Sequence, residues 1–295
     1  MTALGSRSRN PIAVIGATGQ QGGATARALL GAGASVRALT RRPDSDAARA
    51  LAALGADVVP IDLDEPAGLR ATFADVRAVF AMTTPGYEQR PDLEVTHGHA
   101  IADAAAGAGV PHVVYSSVGG AERHTGIPHF DSKRDVEEYL IAQGLSTTFV
   151  RPVFFMDNFA QFLTPTVTDG ALIVRLPLPP EVPLQMITAE DVGTVAAAVT
   201  LDPDRVSGGS IEIAGDERTG EQIAAAYQHH YGIPARYQAL PIDVLGDDDQ
   251  RAMFGWFAHP PAFRADFAAT KALAPRTKTL EQWLLSQPDL EARFA

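Results

Sequence analysis

The stretch Ile12-Ala13-Val14-Ile15-Gly16-Ala17-Thr18-Gly19-Gln20-Gln21-Gly22-Gly23-Ala24-Thr25-Ala26-Arg27-Ala28-Leu29-Leu30 decides the fold. Ile12 to Ile15 is a short apolar run of the kind that forms a buried parallel strand. An Ala- and Leu-rich helical pattern follows. Between them stand Gly16, Gly19 and Gly22, spaced Gly-x-x-Gly-x-x-Gly. Gly16 permits a tight turn off the strand, Gly19 lets the backbone approach a pyrophosphate, and Gly22 lets the helix pack closely on the sheet. The helix N-terminus, with its unpaired N–H groups and positive dipole end, then faces the phosphates. Three glycines placed between a strand and a helix predict a dinucleotide site.

The next unit selects the cofactor. Ser35 to Leu39 reads as a second strand, followed by Thr40, Arg41 and Arg42. An NAD-specific site ends this strand with an acid, about 20 residues after the glycines, to bind the ribose 2′-hydroxyl. Here Arg41 stands 22 residues after Gly19, with Arg42 beside it. A guanidinium fork suits a 2′-phosphate, so NADP(H) is the expected cofactor and NAD(H) the second choice. Pro43 disfavours helix at Arg42 and keeps this corner a loop.

Strands and helices continue to alternate. Further strands are expected at Asp57–Ile61, Ala78–Met82, Val113–Ser116 and Thr147–Val150, with helices near Leu93–Ala106 and Phe130–Gln143. This alternation predicts an α/β fold with a doubly wound parallel sheet. Ligands in such sheets bind outside the carboxyl ends of the strands. Gly16, Arg41, Asp62, Thr83 and Ser116 all fall at such ends. Asp62 and Leu63 read equally as an adenine border or as part of a turn, with Asp64 as N-cap and Pro66 in the first helical turn. Thr83 and Thr84 line the ribose or nicotinamide channel in one reading and serve turn chemistry in the other.

Composition bounds the function class. The 295 residues are 46% hydrophobic, enough for a full core, and contain no cysteine. Disulfides and thiolate catalysis are excluded, and a reducing cytoplasm fits. No apolar run reaches the ~18 residues of a membrane span. The first ten residues lack an apolar signal core and are expected to form a loose tail. The net charge of −11 opposes direct nucleic-acid binding.

The chemistry turns on Ser116, His129 and Lys133. In short-chain dehydrogenases a Ser, a Tyr and a Lys four residues after the Tyr form the site. The phenol passes the proton, and the ammonium lowers its pKa and binds the nicotinamide ribose. Lys133 is in place, but His129 occupies the Tyr position, 13 residues after Ser116. Imidazole can shuttle a proton near neutral pH, yet a neighbouring ammonium opposes its charging. A plain helix-start residue is the favoured reading of His129, and a ribose-binding cation that of Lys133.

The chain resembles the NmrA-like family of atypical short-chain dehydrogenases. The matching stretches are Val14 to Gly22, Val36 to Arg41, His129-Phe130-Asp131-Ser132-Lys133 with Val136 to Tyr139, Val150-Arg151-Pro152 with Asn158-Phe159, and Thr279 to Leu284. The resemblance implies an NADP(H)-binding Rossmann fold with a smaller C-terminal α+β lobe. The candidate cofactor contacts are Gly16, Thr18, Gly19, Gln20, Gln21, Gly22, Arg41, Arg42, Asp62, Leu63, Thr83, Thr84 and Lys133. Asp44-Ser45-Asp46 stands where the family's regulators carry a second basic residue, a departure that bears on NADP selection. In this family some members lack the Tyr and act as cofactor-sensing regulators with protein partners. Others reduce quinones, dyes or aromatic ethers, some using a lysine at the position of Lys133.

The expected organisation is a tail over 1–10, a Rossmann domain over 11–152, and a smaller substrate or partner lobe over 153–295 whose chain is interleaved with the Rossmann sheet. Arg175 to Pro183 is Pro-rich and reads as a loop with short extended pieces, and Ile211 to Ala214 reads as a short strand. Ile187 to about Val199 opens a helix with Thr188 as N-cap, and Thr219 begins another. Phe254-Gly255-Trp256-Phe257 with Phe154, Phe155 and Asn158 forms a substrate roof, a lobe core or a partner surface. The adjacent His229 and His230 point to different faces of a helix and give no metal site. Two readings remain. One is a cofactor-responsive regulator with weak or no turnover, towards which the missing Tyr tilts. The other is an NADPH-dependent reductase of a quinone-like or aromatic acceptor, with Lys133, His129 and Ser116 as the candidate catalytic groups.

Overall fold

The computed structural model describes residues 10–84 and 90–287. The expected tail over 1–10, apart from Asn10, lies outside the described residues. The chain divides into two compact units. One takes in the residues up to Ser116, Asp135–Phe149 and Ala196–Ser210; the other takes in Ser117–Arg134, Val150–Val195 and the residues from Ile211 onward.

The first half of the chain runs β1 (Ile12–Ile15), α1 (Gln20–Gly31), β2 (Val36–Thr40), α2 (Asp46–Ala53), β3 (Asp57–Pro60), α3 (Leu69–Thr72), β4 (Ala78–Met82), α4 (Pro91–Ala108), β5 (Val113–Ser116), α5 (Pro128–Ala142) and β6 (Thr147–Pro152). The rest runs β7 (Phe154–Phe155), β8 (Thr166–Thr168), β9 (Ala171–Leu176), β10 (Leu184–Ile187), α6 (Ala189–Leu201), β11 (Ser210–Ile213), β12 (Asp216–Arg218), α7 (Gly220–Tyr231), β13 (Ala235–Ala239), α8 (Asp248–Phe257), α9 (Phe267–Leu273) and α10 (Leu280–Leu285).

The main sheet has seven strands in the order β11-β6-β5-β4-β1-β2-β3. β1 pairs in parallel with β2 on one side and with β4 on the other, so the strand order reverses at β1. Such a reversal opens a crevice at the carboxyl ends of the strands. All four residues of β1 are buried, as a strand covered on both faces requires. Ile15, Val79, Val113 and Tyr115 of the strands pack with Ile101 and Leu140 of α4 and α5 in one apolar core. At Gly98 of α4, an added Cβ would lie 2.2 Å from Val136 Cγ2, so these two helices meet with no room for a side chain.

The second unit holds two small sheets, ordered β12-β10-β7 and β13-β9-β8. Its interior is aromatic: the Phe154 ring lies 5.9 Å from Phe159 and 6.2 Å from Phe257. Two strands here are set by long-range pairing. Arg175 belongs to β9, because the run Ala171-Leu-Ile-Val-Arg-Leu176 pairs with both β8 and β13 and buries Leu172, Ile173 and Val174. The seventh strand of the main sheet comes from far along the chain, at Ser210–Ile213. Thr188 caps α6 as expected, accepting the Asp191 N–H at 3.0 Å. Thr219 forms a reciprocal capping box with Gln222 at the start of α7.

Candidate functional site

The glycine loop has the geometry that its spacing predicts. Gly16 adopts a left-handed φ of +65°, which turns the chain off β1. The Gly19 N–H donates to the Gly16 carbonyl at 2.8 Å and closes the turn. A Cβ on Gly22 would sit 2.3 Å from that same carbonyl oxygen, so α1 lies against the end of β1. No side chain caps α1 at Gly19, and its first turn carries no acid. Its leading N–H groups are thus presented without a side-chain acceptor, as anion-binding helix termini are.

This loop floors a cavity of 530 Å³ in the first unit. Gly16, Thr18, Gly19, Gln20 and Gln21 line it, together with Arg41, Arg42, Asp62, Leu63, Thr83 and Thr84. Each of these residues stands among the sequence candidates, and they derive from four strand ends. Gly22 is not in the lining; it lies behind the loop. The volume falls in the range of small-molecule sites, roughly 300–1,000 Å³.

Local hydrogen bonds fix the arginine corner. Thr40, the last residue of β2, bonds the Thr18 hydroxyl at 2.8 Å and accepts the Arg42 N–H at 3.1 Å. Ser45 caps α2 through the Ala48 N–H and donates to the Arg42 carbonyl at 2.9 Å. Asp46, in the first turn of α2, pairs with Arg49 at 2.5 Å. Asp44 gives its backbone carbonyl to the same guanidinium. Ser45 and Asp46 thus have local structural roles.

At the far end, Asp62 Oδ1 accepts the Asp64 N–H at 3.1 Å. The expected N-cap at Asp64 is not formed: Glu65 precedes the short helical turn at Pro66 and makes no side-chain cap. Asp64 instead pairs with His97 Nε2 at 2.8 Å, and both residues line the cavity. His97 and Leu93 of α4 also line the cavity and were not among the sequence candidates, since no local motif marks a helix residue as facing a ligand.

Thr83 is tied down from behind. Its hydroxyl donates to Glu94 Oε1 at 3.0 Å and shares a 2.7 Å bond with the Tyr115 hydroxyl. Glu94 is fully buried on α4. Burial, reinforced by the Glu94 charge, pushes the Tyr115 phenol well above its ordinary range. Tyr115 therefore stays a neutral structural phenol, closed off from proton transfer. Tyr139, the next tyrosine in sequence, donates to Asp103 at 2.8 Å and stacks on His99. Ser116 is also committed: its hydroxyl donates to Gln21 Oε1 at 2.6 Å and so ties β5 to the glycine loop.

The second unit places the remaining candidates. Lys133 lies one turn after His129 on α5. His129 Nδ1 is 2.5 Å from Asp249 Oδ2, and the His129 backbone N–H donates to Asp249 Oδ1 at 2.9 Å. Asp249 lies in the first turn of α8 and is 7% exposed. Burial raises its carboxyl pKa, but the hydrogen bond and charge of His129 outweigh this and hold it below the ordinary range. No sequence signal marks Asp249 as the partner of a histidine 120 residues away. Trp256, half-buried, packs edge-on to Phe130 at 5.5 Å and to Phe263 at 5.3 Å. Phe154 lies inside the aromatic core, while Phe155 and Asn158 stay half-buried.

A model of the NmrA-like family matches residues 8–282. This chain belongs to the NmrA-like family. It is 31% identical over 327 residues to the NmrA-like family domain-containing oxidoreductase FrzB of a Cladobotryum species, covering 94% of this chain and 96% of the relative. Among solved structures, NmrA, a negative transcriptional regulator in complex with NAD, aligns with a TM-score of 0.81 at 22% identity, over 98% of this chain and 97% of that one. An NADPH-dependent quinone oxidoreductase from Escherichia coli in complex with NADPH aligns with a TM-score of 0.75 at 22% identity, over 93% and 99%. These likenesses show the Rossmann-type fold shared by this NmrA-like chain. Among the described residues, no helix is long and apolar enough to cross a membrane.

Proposed function

We propose that this protein is an NADP(H)-dependent oxidoreductase acting on a quinone-like or aromatic acceptor. The observation that carries the cofactor half is the cavity of the first unit. An uncapped helix N-terminus and the Arg41–Arg42 corner line the same 530 Å³ space. Backbone N–H groups of α1 suit the pyrophosphate. Arg41 and Arg42 suit a 2′-phosphate, since planar guanidinium groups bind phosphate in bidentate fashion. Asp62, Leu63 and His97 suit the adenine end, and Thr83, held rigid by Glu94 and Tyr115, suits the ribose or nicotinamide end. When bound, the reduced dinucleotide supplies a hydride.

The oxidoreductase half draws support from the curated relatives, of which FrzB, covered nearly end to end, is named an oxidoreductase. The half-buried Trp256 beside Phe130 and Phe263 offers the flat apolar surface that an aromatic acceptor needs. A specific observation favours a second reading: His129 stands where the proton-donating tyrosine would be, as in a regulator with weak or no turnover. One experiment separates the two. The protein is titrated with NADPH by calorimetry, then NADPH absorbance is followed with a panel of quinone and dye acceptors. Binding with steady oxidation supports the oxidoreductase, and binding without oxidation by any acceptor supports the regulator.

A further inference from the structure

We infer that His97 is the base-binding plate of the cavity: its imidazole, held at one nitrogen by Asp64, stacks on the adenine ring of the dinucleotide and sets the affinity for the adenosine half. The inference rests on the cofactor reading above, and every residue it uses belongs to the first unit.

The cavity is charged unevenly. Arg41 and Arg42 follow β2, whereas Asp62 and Asp64 follow β3, and all four line the cavity. Two carboxylates repel a phosphate, so the β3 end takes a neutral group and leaves the anion to the arginines. Its remaining lining is apolar: Ile61 and Leu63 from the same loop, and Leu93 from α4, all half-buried. β2 and β3 are paired neighbours, so the arginines and this wall lie side by side, as the 2′-phosphate and base of one adenosine do. A flat, uncharged group with a large apolar surface fits such a wall. In a dinucleotide whose phosphates lie at α1 and at the arginines, that group is the adenine base.

Packing on both sides places His97 for this contact. It lies one turn after Leu93 on α4, so the two side chains share a face of the helix, and both line the cavity. Two contacts fix the rotation of α4. Gly98, next in sequence, meets α5 so closely that an added Cβ would lie 2.2 Å from Val136 Cγ2. Glu94, one turn before Gly98, accepts the Thr83 hydroxyl at 3.0 Å. The ring is then pinned at its edge, with Nε2 2.8 Å from Asp64 Oδ1. The loop that carries Asp64 is closed in turn by the Asp64 N–H, which donates to Asp62 Oδ1 at 3.1 Å. The Asp64 side chain is 56% exposed and that of His97 only 13%. The carboxylate thus sits at the rim and the imidazole inside it. An imidazole fastened by its edge keeps its face for a neighbour, and every base has a π-face to set against an aromatic ring. Because the ring is ordered before the ligand arrives, binding loses little side-chain freedom there.

The test titrates the full chain by calorimetry with NADPH and with adenosine 2′,5′-bisphosphate, which carries the adenosine half alone. His97→Phe keeps a flat face without the hydrogen bond, His97→Gln keeps a polar partner for Asp64 without the face, and His97→Ala keeps neither. We expect both ligands to bind about tenfold more weakly to His97→Ala and His97→Gln, as the loss of one base-stacking contact implies, and His97→Phe to stay close to wild type. An equal loss for the two ligands marks a contact with the half they share. Any other order among the variants, with the wild type still binding both ligands, overturns the plate and leaves the cofactor reading intact. A loss confined to NADPH does the same, because it moves His97 to the nicotinamide half. A wild type that binds neither ligand overturns both.

Discussion

Replacing Gly22 with alanine tests the way the helix meets the sheet. The new Cβ would lie 2.3 Å from the Gly16 carbonyl oxygen, 2.6 Å from its carbon and 2.7 Å from the Ile15 carbonyl oxygen. All three are backbone atoms at the end of a fully buried strand, so no side chain can swing aside. Relief requires α1 to withdraw by roughly 1 Å to restore ordinary contact distances. Overpacking of this kind costs about 1–3 kcal/mol, against a gain of up to about 1 kcal/mol in helix propensity from Gly to Ala. The expected net loss is about 1–2 kcal/mol, or a Tm lower by about 2–8 °C. The same withdrawal moves the leading N–H groups of α1 away from the phosphates, so NADPH affinity should fall at least about tenfold, since 1.4 kcal/mol is a factor of ten. Gly31→Ala, at the last residue of α1, is the control: nothing lies within 4 Å of its Cβ, and stability should hold or rise. Thermal denaturation and calorimetry read both effects. A Gly22→Ala protein with wild-type Tm and wild-type NADPH affinity would refute the reasoning.

Arg41→Glu should weaken NADPH far more than NADH in paired calorimetric titrations, because it removes a guanidinium and sets a like charge against the 2′-phosphate; equal losses would misplace the phosphate site. Thr83→Val conserves shape but deprives buried Glu94 of a hydroxyl donor, and should lower stability by about 1–3 kcal/mol in urea unfolding. Burial is the main influence on Asp157 and raises its carboxyl pKa, although it accepts the Ala189 N–H at 2.8 Å. A raised folded pKa means stability that is present below the unfolded pKa and lost as pH rises through the folded one. Relative to Asp157→Asn, which keeps the acceptor without the charge, the wild type should therefore lose stability as pH rises from the ordinary carboxylate range. A difference that stays flat with pH would contradict the assignment.

The cofactor cavity was legible in the sequence because its determinants are local. Gly16, Gly19 and Gly22 sit within one strand–turn–helix unit, and Arg41, Asp62 and Thr83 mark strand ends that alternation alone locates. The one-residue extension of β2 to Thr40 was not visible, and it matters, since Thr40 ties Thr18 to the arginine corner. Nothing local marks Glu94 as buried, since an acid near a helix N-terminus is at home beside the dipole, yet tertiary packing buries it against Thr83. β9 was hidden by the prolines that follow it, although Leu172, Ile173 and Val174 form an ordinary buried strand. Asp249 was beyond reach, because only the folded chain brings about its two contacts with His129. His129 consequently read as a helix-start residue, and the structure adds a carboxylate at its Nδ1.

Calorimetric titration of the wild-type protein with NADPH, NADP+, NADH and NAD+ in one buffer tests the central claim most directly. The account predicts saturable binding of NADPH at one site per chain, tighter than NADH, and lost in that order of preference on Arg41→Glu. Absence of binding by all four dinucleotides would contradict it from the glycine loop onward.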